Sequence, residues 1–219
     1  MKILIVSGFL GAGKTTFIKR LARNVDQRFA ILENEYGAAG IDGARLGQNR
    51  QGTQKNVWEM TEQCICCIGK KDFAASVLTI ANVVDPEYLI VEPTGVGSLA
   101  RIIENLRQIE YERIQLLSPV TIVDVYSYRR YMAEYPELYQ DQIRSADTII
   151  VSKTEACQAE EKQRIQKFLQ EINSQAKIIT DYASTMTRED YQSLLLGGRY
   201  EKKVQDTQSG EKMPETFSF

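Results

Sequence analysis

The residues with the clearest chemistry lie near the start of the chain, where Gly8 to Thr15 read GFLGAGKT. This spacing, G-x4-G-K-[ST], lies between an apolar run at 3–6 and a stretch of helical spacing at 16–22. Glycines let backbone N–H groups wrap a phosphate, Lys14 can place a charge on the β and γ oxygens, and the Thr15 hydroxyl suits Mg²⁺. Because a strand leads in and a helix leads out, the segment predicts a nucleotide-phosphate site. The residues assigned to it are Gly8, Gly11, Ala12, Gly13, Lys14, Thr15 and Thr16.

A carboxylate follows a second apolar run, at 88–91, as Glu92 in the sequence EPTG. A carboxylate at the end of such a strand can hold the water shell of Mg²⁺ or orient an attacking water. Gly95 would let the backbone approach the γ-phosphate. We therefore assign Lys14 and Glu92 to catalysis and Gly95 to nucleotide binding. The alternative is an ordinary acidic side chain at a strand end, facing solvent.

Four polar residues, Ser152 to Glu155, follow the apolar run at 148–151 and read SKTE. P-loop GTPases usually carry N-K-x-D at this position, where the carboxylate accepts hydrogen bonds from guanine and the lysine stem packs on the base. The position predicts guanine binding by Ser152, Lys153 and Glu155. The alternative is a polar strand-to-helix turn that Thr154 or Glu155 caps.

Three thiols lie within four residues, at Cys64, Cys66 and Cys67. A tight turn carrying thiolates suits a soft metal ion, and a carboxylate such as Glu35 could complete its coordination. The chain contains no histidine, so such a site would depend on sulfur. A redox-sensitive cluster or free thiols is the alternative. The fourth cysteine, Cys157, is expected one turn into a helix, with a structural role.

The overall charge is nearly balanced, with 27 basic and 29 acidic residues and a net charge of −2. This balance argues against nucleic acid or a membrane surface as a partner. No apolar stretch is long enough to span a bilayer, and Lys2 and the first apolar run lead directly into the glycine loop. We therefore expect no signal peptide, a cytoplasmic protein and reduced cysteines.

Apolar runs alternate with helical spacing along the chain, which predicts an α/β fold with a mostly parallel sheet and helices on both faces. Strands are predicted at 3–6, 29–32, 57–60, 88–91, 120–123, 148–151 and 177–180, and helices at 16–22, 74–83, 99–106, 126–146, 160–172 and 189–196. Ligands bind beyond the carboxyl ends of the strands in such sheets, which is where the motifs fall. Residues 1–200 are expected to form one domain. Residues 201–219 form a polar tail whose last six residues alternate like the first strand of a further domain.

Five motifs follow one another along the chain: GFLGAGKTT at 8–16, ENEYG at 33–37, CICC at 64–67, EPTG at 92–95 and SKTE at 152–155. In this order they resemble the GTPase domain of the CobW-like proteins, relatives of the HypB and UreG metallochaperones. The resemblance covers about residues 1–200 and implies a P-loop fold of the SIMIBI type. It departs from the family at Ser152 and Glu155, where Asn and Asp are usual, and at the two residues that flank the cysteines.

The resemblance implies a GTPase that uses GTP, GDP and Mg²⁺ and handles Zn²⁺, or Co²⁺ or Ni²⁺, for a client metalloprotein or a cofactor-maturation enzyme. It also allows a nucleotide-dependent homodimer. Lys14 and Thr15 would bind phosphate and Mg²⁺, and the three clustered cysteines would bind the transition metal. Glu35, on a loop that responds to nucleotide state, would take part in metal binding and in catalysis.

Two other functions fit the same residues. A small-molecule kinase would use the cleft for an acceptor alcohol and would give the cysteines no role. A regulatory module would sense metal or redox state and would bind nucleotide without turning it over.

Overall fold

The protein is described by a computed structural model that covers residues 1–27, 29–33, 57–61 and 70–201. Glu35, Cys64, Cys66 and Cys67 lie outside these residues, as do positions 202–219. Predictions about these residues therefore stay predictions.

Eight strands form one sheet, and every pairing between them is parallel among the described residues. The strands are β1 (Lys2–Gly8), β2 (Phe29–Glu33), β3 (Val57–Thr61), β4 (Tyr88–Glu92), β5 (Gln115–Leu116), β6 (Val120–Asp124), β7 (Thr148–Ser152) and β8 (Lys177–Ile179). Their order is β3-β2-β4-β1-β6-β7-β8, and β5 pairs with the start of β1. Because all strands run the same way, the carboxyl ends of β4, β1, β6 and β7 lie side by side.

Helices cover both faces of this sheet, as predicted. They are α1 (Lys14–Asn24), α2 (Lys70–Val83), α3 (Leu99–Arg107), α4 (Tyr128–Glu134), α5 (Pro136–Arg144), α6 (Ala159–Ile172), α7 (Tyr182–Thr185) and α8 (Arg188–Leu196). Successive side chains of a strand point to opposite faces. Leu4 accordingly packs in the core under α1, α7 and α8, whereas Ile5 packs in the core under α2 and α3. A third cluster joins β6 and β7 to α4, α5 and α6.

The structure departs from the prediction in the region 126–146, expected as one helical stretch. Two helices form instead, because Pro136 begins α5 and Tyr135 before it leaves the helical conformation, at φ −137° and ψ 56°. Proline lacks an N–H and disfavours helix in the preceding residue. The short elements β5 and α7 were not predicted, since neither is long enough to show a periodicity.

The expected position of Cys157 inside a helix is wrong, because α6 begins two residues later, at Ala159. Cys157 is half-buried and packs against the third core cluster, which agrees with a structural role. In the part of the chain that the structure describes, no helix is both long and apolar enough to cross a membrane.

Candidate nucleotide site

The glycine loop connects β1 to α1 at the carboxyl edge of the sheet. Gly8 ends β1 with φ 142°, and a Cβ there would lie 2.4 Å from the carbonyl oxygen of Ile122 on β6. Gly13 forms the N-cap of α1 with φ 99°. Residues with a side chain rarely adopt such angles, so these two glycines are required by the backbone. A Cβ at Gly11 would meet no atom within 4 Å. Ala12 is buried, and Thr16 is exposed on the first turn of α1.

Lys14 lies within the loop, with only 8% of its surface exposed. Its Nζ donates hydrogen bonds to the carbonyl oxygens of Gly8, at 3.0 Å, and Phe9, at 3.4 Å. Burial lowers the pKa of Lys14, and the nearby charge of Glu92 opposes this change. The loop thus holds a partly desolvated ammonium group, whose field is stronger than that of a fully hydrated one.

Thr15 and Glu92 are in direct contact, although they lie 77 positions apart in the chain. The Thr15 hydroxyl donates to Glu92 Oε1 at 3.0 Å and to Oε2 at 3.2 Å. A hydroxyl and a carboxylate are oxygen ligands of the kind that Mg²⁺ uses together with phosphate oxygens and waters. The residues present therefore fit the ion predicted at this position. The contact forms because β4 is the neighbour of β1 and ends at the same edge.

Gly95 lies against the glycine loop itself. A Cβ at Gly95 would lie 2.3 Å from the backbone nitrogen of Leu10. The segment after Glu92 is thus packed onto the loop by its backbone. This packing by itself requires glycine at position 95, and the approach of Gly95 to the γ-phosphate stays a prediction.

The other side of the loop packs on aromatic side chains that were not predicted as part of the site. The ring of Phe9 lies 4.6 Å from that of Tyr131 and 5.0 Å from that of Tyr139, between centroids. The Tyr131 hydroxyl donates to the carbonyl oxygen of Leu10 at 3.0 Å. The tyrosine-rich composition of 126–146 was the available signal, but it does not say which loop these residues contact.

Ser152, at the end of β7, also contacts the loop. Its hydroxyl donates to the carbonyl oxygen of Ala12 at 2.6 Å, and the side chain is 2% exposed. A hydrogen bond of this length between buried groups holds the two segments together. The structure thus brings Ser152 to the phosphate loop.

Lys153, the next residue, pairs with Asp124 at the end of β6. Lys153 has φ 60°, and its Nζ lies 2.7 Å from Asp124 Oδ2. Burial alone would raise the pKa of Asp124, but hydrogen bonds from Lys153, from the Tyr126 backbone and from Ser127 together lower it. This pair fixes the lysine stem at the carboxyl edge of the sheet. Asp124 ends β6 at the same edge as the motifs, but the sequence did not predict that it pairs with Lys153.

Glu155 is exposed, whereas Thr154 beside it is 2% exposed. Asp181 pairs with Lys162 at 2.6 Å, and hydrogen bonds from Lys162 and Thr154 lower the pKa of Asp181. The alternative in which Thr154 or Glu155 caps the following helix is wrong, because Gln158 is the N-cap of α6. Glu155 is therefore exposed to solvent, and its role in guanine binding stays a prediction.

No transition-metal site can be assigned in the part of the chain that is described. Those residues hold no group of three or more histidine, cysteine, aspartate or glutamate side chains that could bind a metal. The predicted ligands Glu35, Cys64, Cys66 and Cys67 all lie outside them.

Comparison with known proteins identifies the family of this chain. The profile of the family described as CobW/HypB/UreG, nucleotide-binding domain, matches residues 2–180. The chain belongs to this family. The resemblance inferred from the motifs is thereby confirmed.

Several curated relatives carry the name zinc chaperone. YeiR of Escherichia coli is 30% identical over 178 residues, covering 80% of this chain and 53% of YeiR. CobW of Pseudomonas aeruginosa is 27% identical over 209 residues, covering 82% of this chain and 56% of CobW. The chain therefore spans about half the length of the relatives it matches.

Solved structures agree on the fold. Zn(II)-bound YjiA GTPase from E. coli has a TM-score of 0.62 and 21% identity, over 85% of this chain and 58% of that one. Hydrogenase maturation factor HypB from Archaeoglobus fulgidus has a TM-score of 0.62 and 18% identity, over 90% and 89% of the two chains. At this level of identity the likeness shows the P-loop GTPase fold and nothing finer.

Proposed function

We propose that this chain is the GTP-binding and hydrolysing domain of a metallochaperone, in which the nucleotide state is coupled to a transition-metal site. The observation that carries the nucleotide part is the contact between Thr15 and Glu92 beside the buried ammonium group of Lys14. These three groups are a hydroxyl, a carboxylate and a cation, which is the set needed to hold Mg²⁺ and the terminal phosphates. Membership of the CobW/HypB/UreG family supports the same function.

In the proposed reaction the chain contributes position and charge. Lys14 would stabilise the negative charge that spreads over the phosphate oxygens in the transition state. Thr15 and Glu92 would hold Mg²⁺, Glu92 through a water molecule, and this ion neutralises charge on the β- and γ-phosphates when bound. The chain has no histidine to serve as a general base. Turnover of the isolated domain is therefore expected to be slow.

Guanine would be bound at the ends of β7 and β6. Glu155 is exposed and would accept hydrogen bonds from the base, while Lys153, held by Asp124, would pack its stem on the ring. Ser152 would act differently from this pair. Because its hydroxyl is bonded to Ala12, we assign to it the support of the phosphate loop.

The metal part of the proposal rests on the thiol cluster. Cys64, Cys66 and Cys67, with Glu35 two positions after the end of β2, would bind Zn²⁺ as cargo, and the names of the curated relatives favour zinc over cobalt or nickel. A loop that rearranges with the γ-phosphate would change the affinity for the metal. The recipient would be a client metalloprotein in the cytoplasm, and the same nucleotide switch could control a homodimer. We further propose that residues 1–200 form the GTPase domain and that residues 201–219 are a polar tail outside it.

The nucleotide site is tested by Lys14→Ala, with Lys19→Ala on the exposed side of the same helix as the matched control. We expect Mg²⁺-dependent phosphate release from GTP to fall by about 100-fold or more in the first variant, because a charge on the transition state is lost. The control should keep the rate of the wild type. Equal rates in Lys14→Ala and the wild type would refute the assignment.

The metal site is tested by Zn²⁺ competition titration with GDP and with a non-hydrolysable GTP analogue. The test variant is Cys66→Ala with Cys67→Ala, and Cys157→Ala outside the cluster is the control. Coupling requires the two nucleotides to give different Zn²⁺ affinities, by a free energy of about 1–3 kcal/mol. Equal affinities would leave a passive metal site, and undiminished binding in the double variant would remove the cluster as the site.

A further inference from the structure

A buried amide on α5 holds the segment that follows Glu92. Gln142 is 1% exposed, and its Nε2 donates to the carbonyl oxygens of Gly95 at 3.1 Å and Gly97 at 2.9 Å. Both partners are carbonyl groups, which can only accept. The orientation of the amide is therefore decided by the bonds it makes, with the NH₂ group facing this segment.

This arrangement leaves the other end of the amide unpaired. Gln142 Oε1 is buried without a hydrogen-bond partner among the described residues. Burying an acceptor in this way is unfavourable. Methionine has a similar length and would bury no such acceptor, but it would leave the carbonyl oxygens of Gly95 and Gly97 without this donor. What the amide supplies at this position is therefore the pair of hydrogen bonds to the 95–97 segment.

The segment that Gln142 holds borders the phosphate loop. Gly95 packs against the loop so closely that a Cβ at this residue would lie 2.3 Å from the backbone nitrogen of Leu10. The Phe9 ring of the same loop packs on Tyr139, which lies on α5 with Gln142. One helix thus holds both the loop and the segment that faces it. The backbone of Gln142 is itself fixed, because its carbonyl oxygen accepts from the Thr121 hydroxyl of β6 at 2.9 Å.

We propose that Gln142 is a positioning residue that sets the distance between the 95–97 backbone and the phosphate loop, and thereby the preference for GTP over GDP. This inference rests on the proposed function and on the prediction from the sequence that the backbone at Gly95 approaches the γ-phosphate, which only GTP carries. A backbone group placed in advance binds the γ-phosphate without a further cost of ordering. Without the two hydrogen bonds, the segment has to be ordered by the nucleotide itself.

The test compares Gln142→Met with Gln140→Met on the same helix, whose amide contacts the sulfur of Met132 and not the site. Affinities for GDP and for a non-hydrolysable GTP analogue are measured by calorimetry with Mg²⁺, together with single-turnover GTP hydrolysis and the melting temperature. In Gln142→Met we expect the preference for the GTP analogue and the hydrolysis rate to fall by about tenfold. Affinity for GDP should stay within about twofold, and the melting temperature is expected to fall, because the carbonyl groups of Gly95 and Gly97 lose their donor. The control should match the wild type.

Three results would overturn the inference. The first is an unchanged preference in Gln142→Met. The second is an equal loss of affinity for both nucleotides, which would indicate a purely structural role. If Gln142→Met does not fold, Gln142→Asn replaces it in the test, because it keeps the amide but shortens its reach. An unchanged preference for the GTP analogue in that variant is the third result. Wild-type protein that binds neither nucleotide would instead refute the proposed function, and the inference with it.

Discussion

Gly95→Ala adds one methyl group where the structure has no room for it. The new Cβ would lie 2.3 Å from the backbone nitrogen of Leu10 and 2.9 Å from both Leu10 Cα and the carbonyl carbon of Phe9. All three are backbone atoms, so no flexible side chain can move aside. Ordinary contact between such atoms needs about 3.5 Å, so the two segments must separate by about 1 Å.

The loop is poorly able to retreat from this contact. The Phe9 ring is 2% exposed and packs on Tyr131 and Tyr139, and the Leu10 carbonyl group is bonded to the Tyr131 hydroxyl. On the other side, Gln142 ties the carbonyl oxygen of Gly95 to α5. Overpacking in a constrained position costs about 1–3 kcal/mol. We expect the free energy of unfolding to fall by that amount, and nucleotide affinity to fall about tenfold as the loop is displaced.

Urea unfolding and calorimetry with GDP and a GTP analogue measure the two effects. Gly198→Ala is the matched control, because a Cβ there meets nothing within 4 Å. Its free energy of unfolding should stay within about 0.5 kcal/mol of the wild type. If Gly95→Ala is as stable as this control and binds nucleotide as well as the wild type, the packing described here between the 95–97 segment and the loop is refuted.

Three further predictions concern the ends of β6 and β7. Ser152→Ala removes the bond to Ala12, so affinities for GTP and ATP should fall together, by up to about tenfold, in competition binding; a loss for GTP alone would show that Ser152 contacts the base. Glu155→Gln should lower affinity for GTP but not for ATP, and equal changes would remove guanine recognition from this turn. Lys153→Met tests the ion pair with Asp124, whose pKa is lowered from its ordinary value of 3.8. The pair therefore stabilises the fold fully above pH 3.8, and this stabilisation is lost as the pH falls through the lowered pKa. In acid unfolding, the stability difference between wild type and Lys153→Met should therefore shrink as pH falls from about 5 to 3, and a constant difference would contradict the pairing.

The sequence by itself determined the fold class, the phosphate loop and each described strand except the two-residue β5. These features are local, because an apolar run indicates a buried strand and the loop needs its glycines, lysine and threonine at fixed spacing. The predicted run at 3–6 became β1 and the run at 120–123 became β6, each with one or more residues added at its ends. Pro136 also divides the helical stretch by a local rule, and that division could have been predicted.

Only the tertiary structure decided which residues complete the site. Ser152 bonds to Ala12 across 140 positions, and Gln142 reaches Gly95 across 47. Such contacts depend on the order β4-β1-β6-β7, which brings strands from distant parts of the chain to one edge. Neither a buried serine nor a buried glutamine leaves a periodic signal, because its partners are backbone carbonyl groups that every residue carries. The chemistry of the loop is therefore readable in the sequence, and the side chains that hold it in place are not.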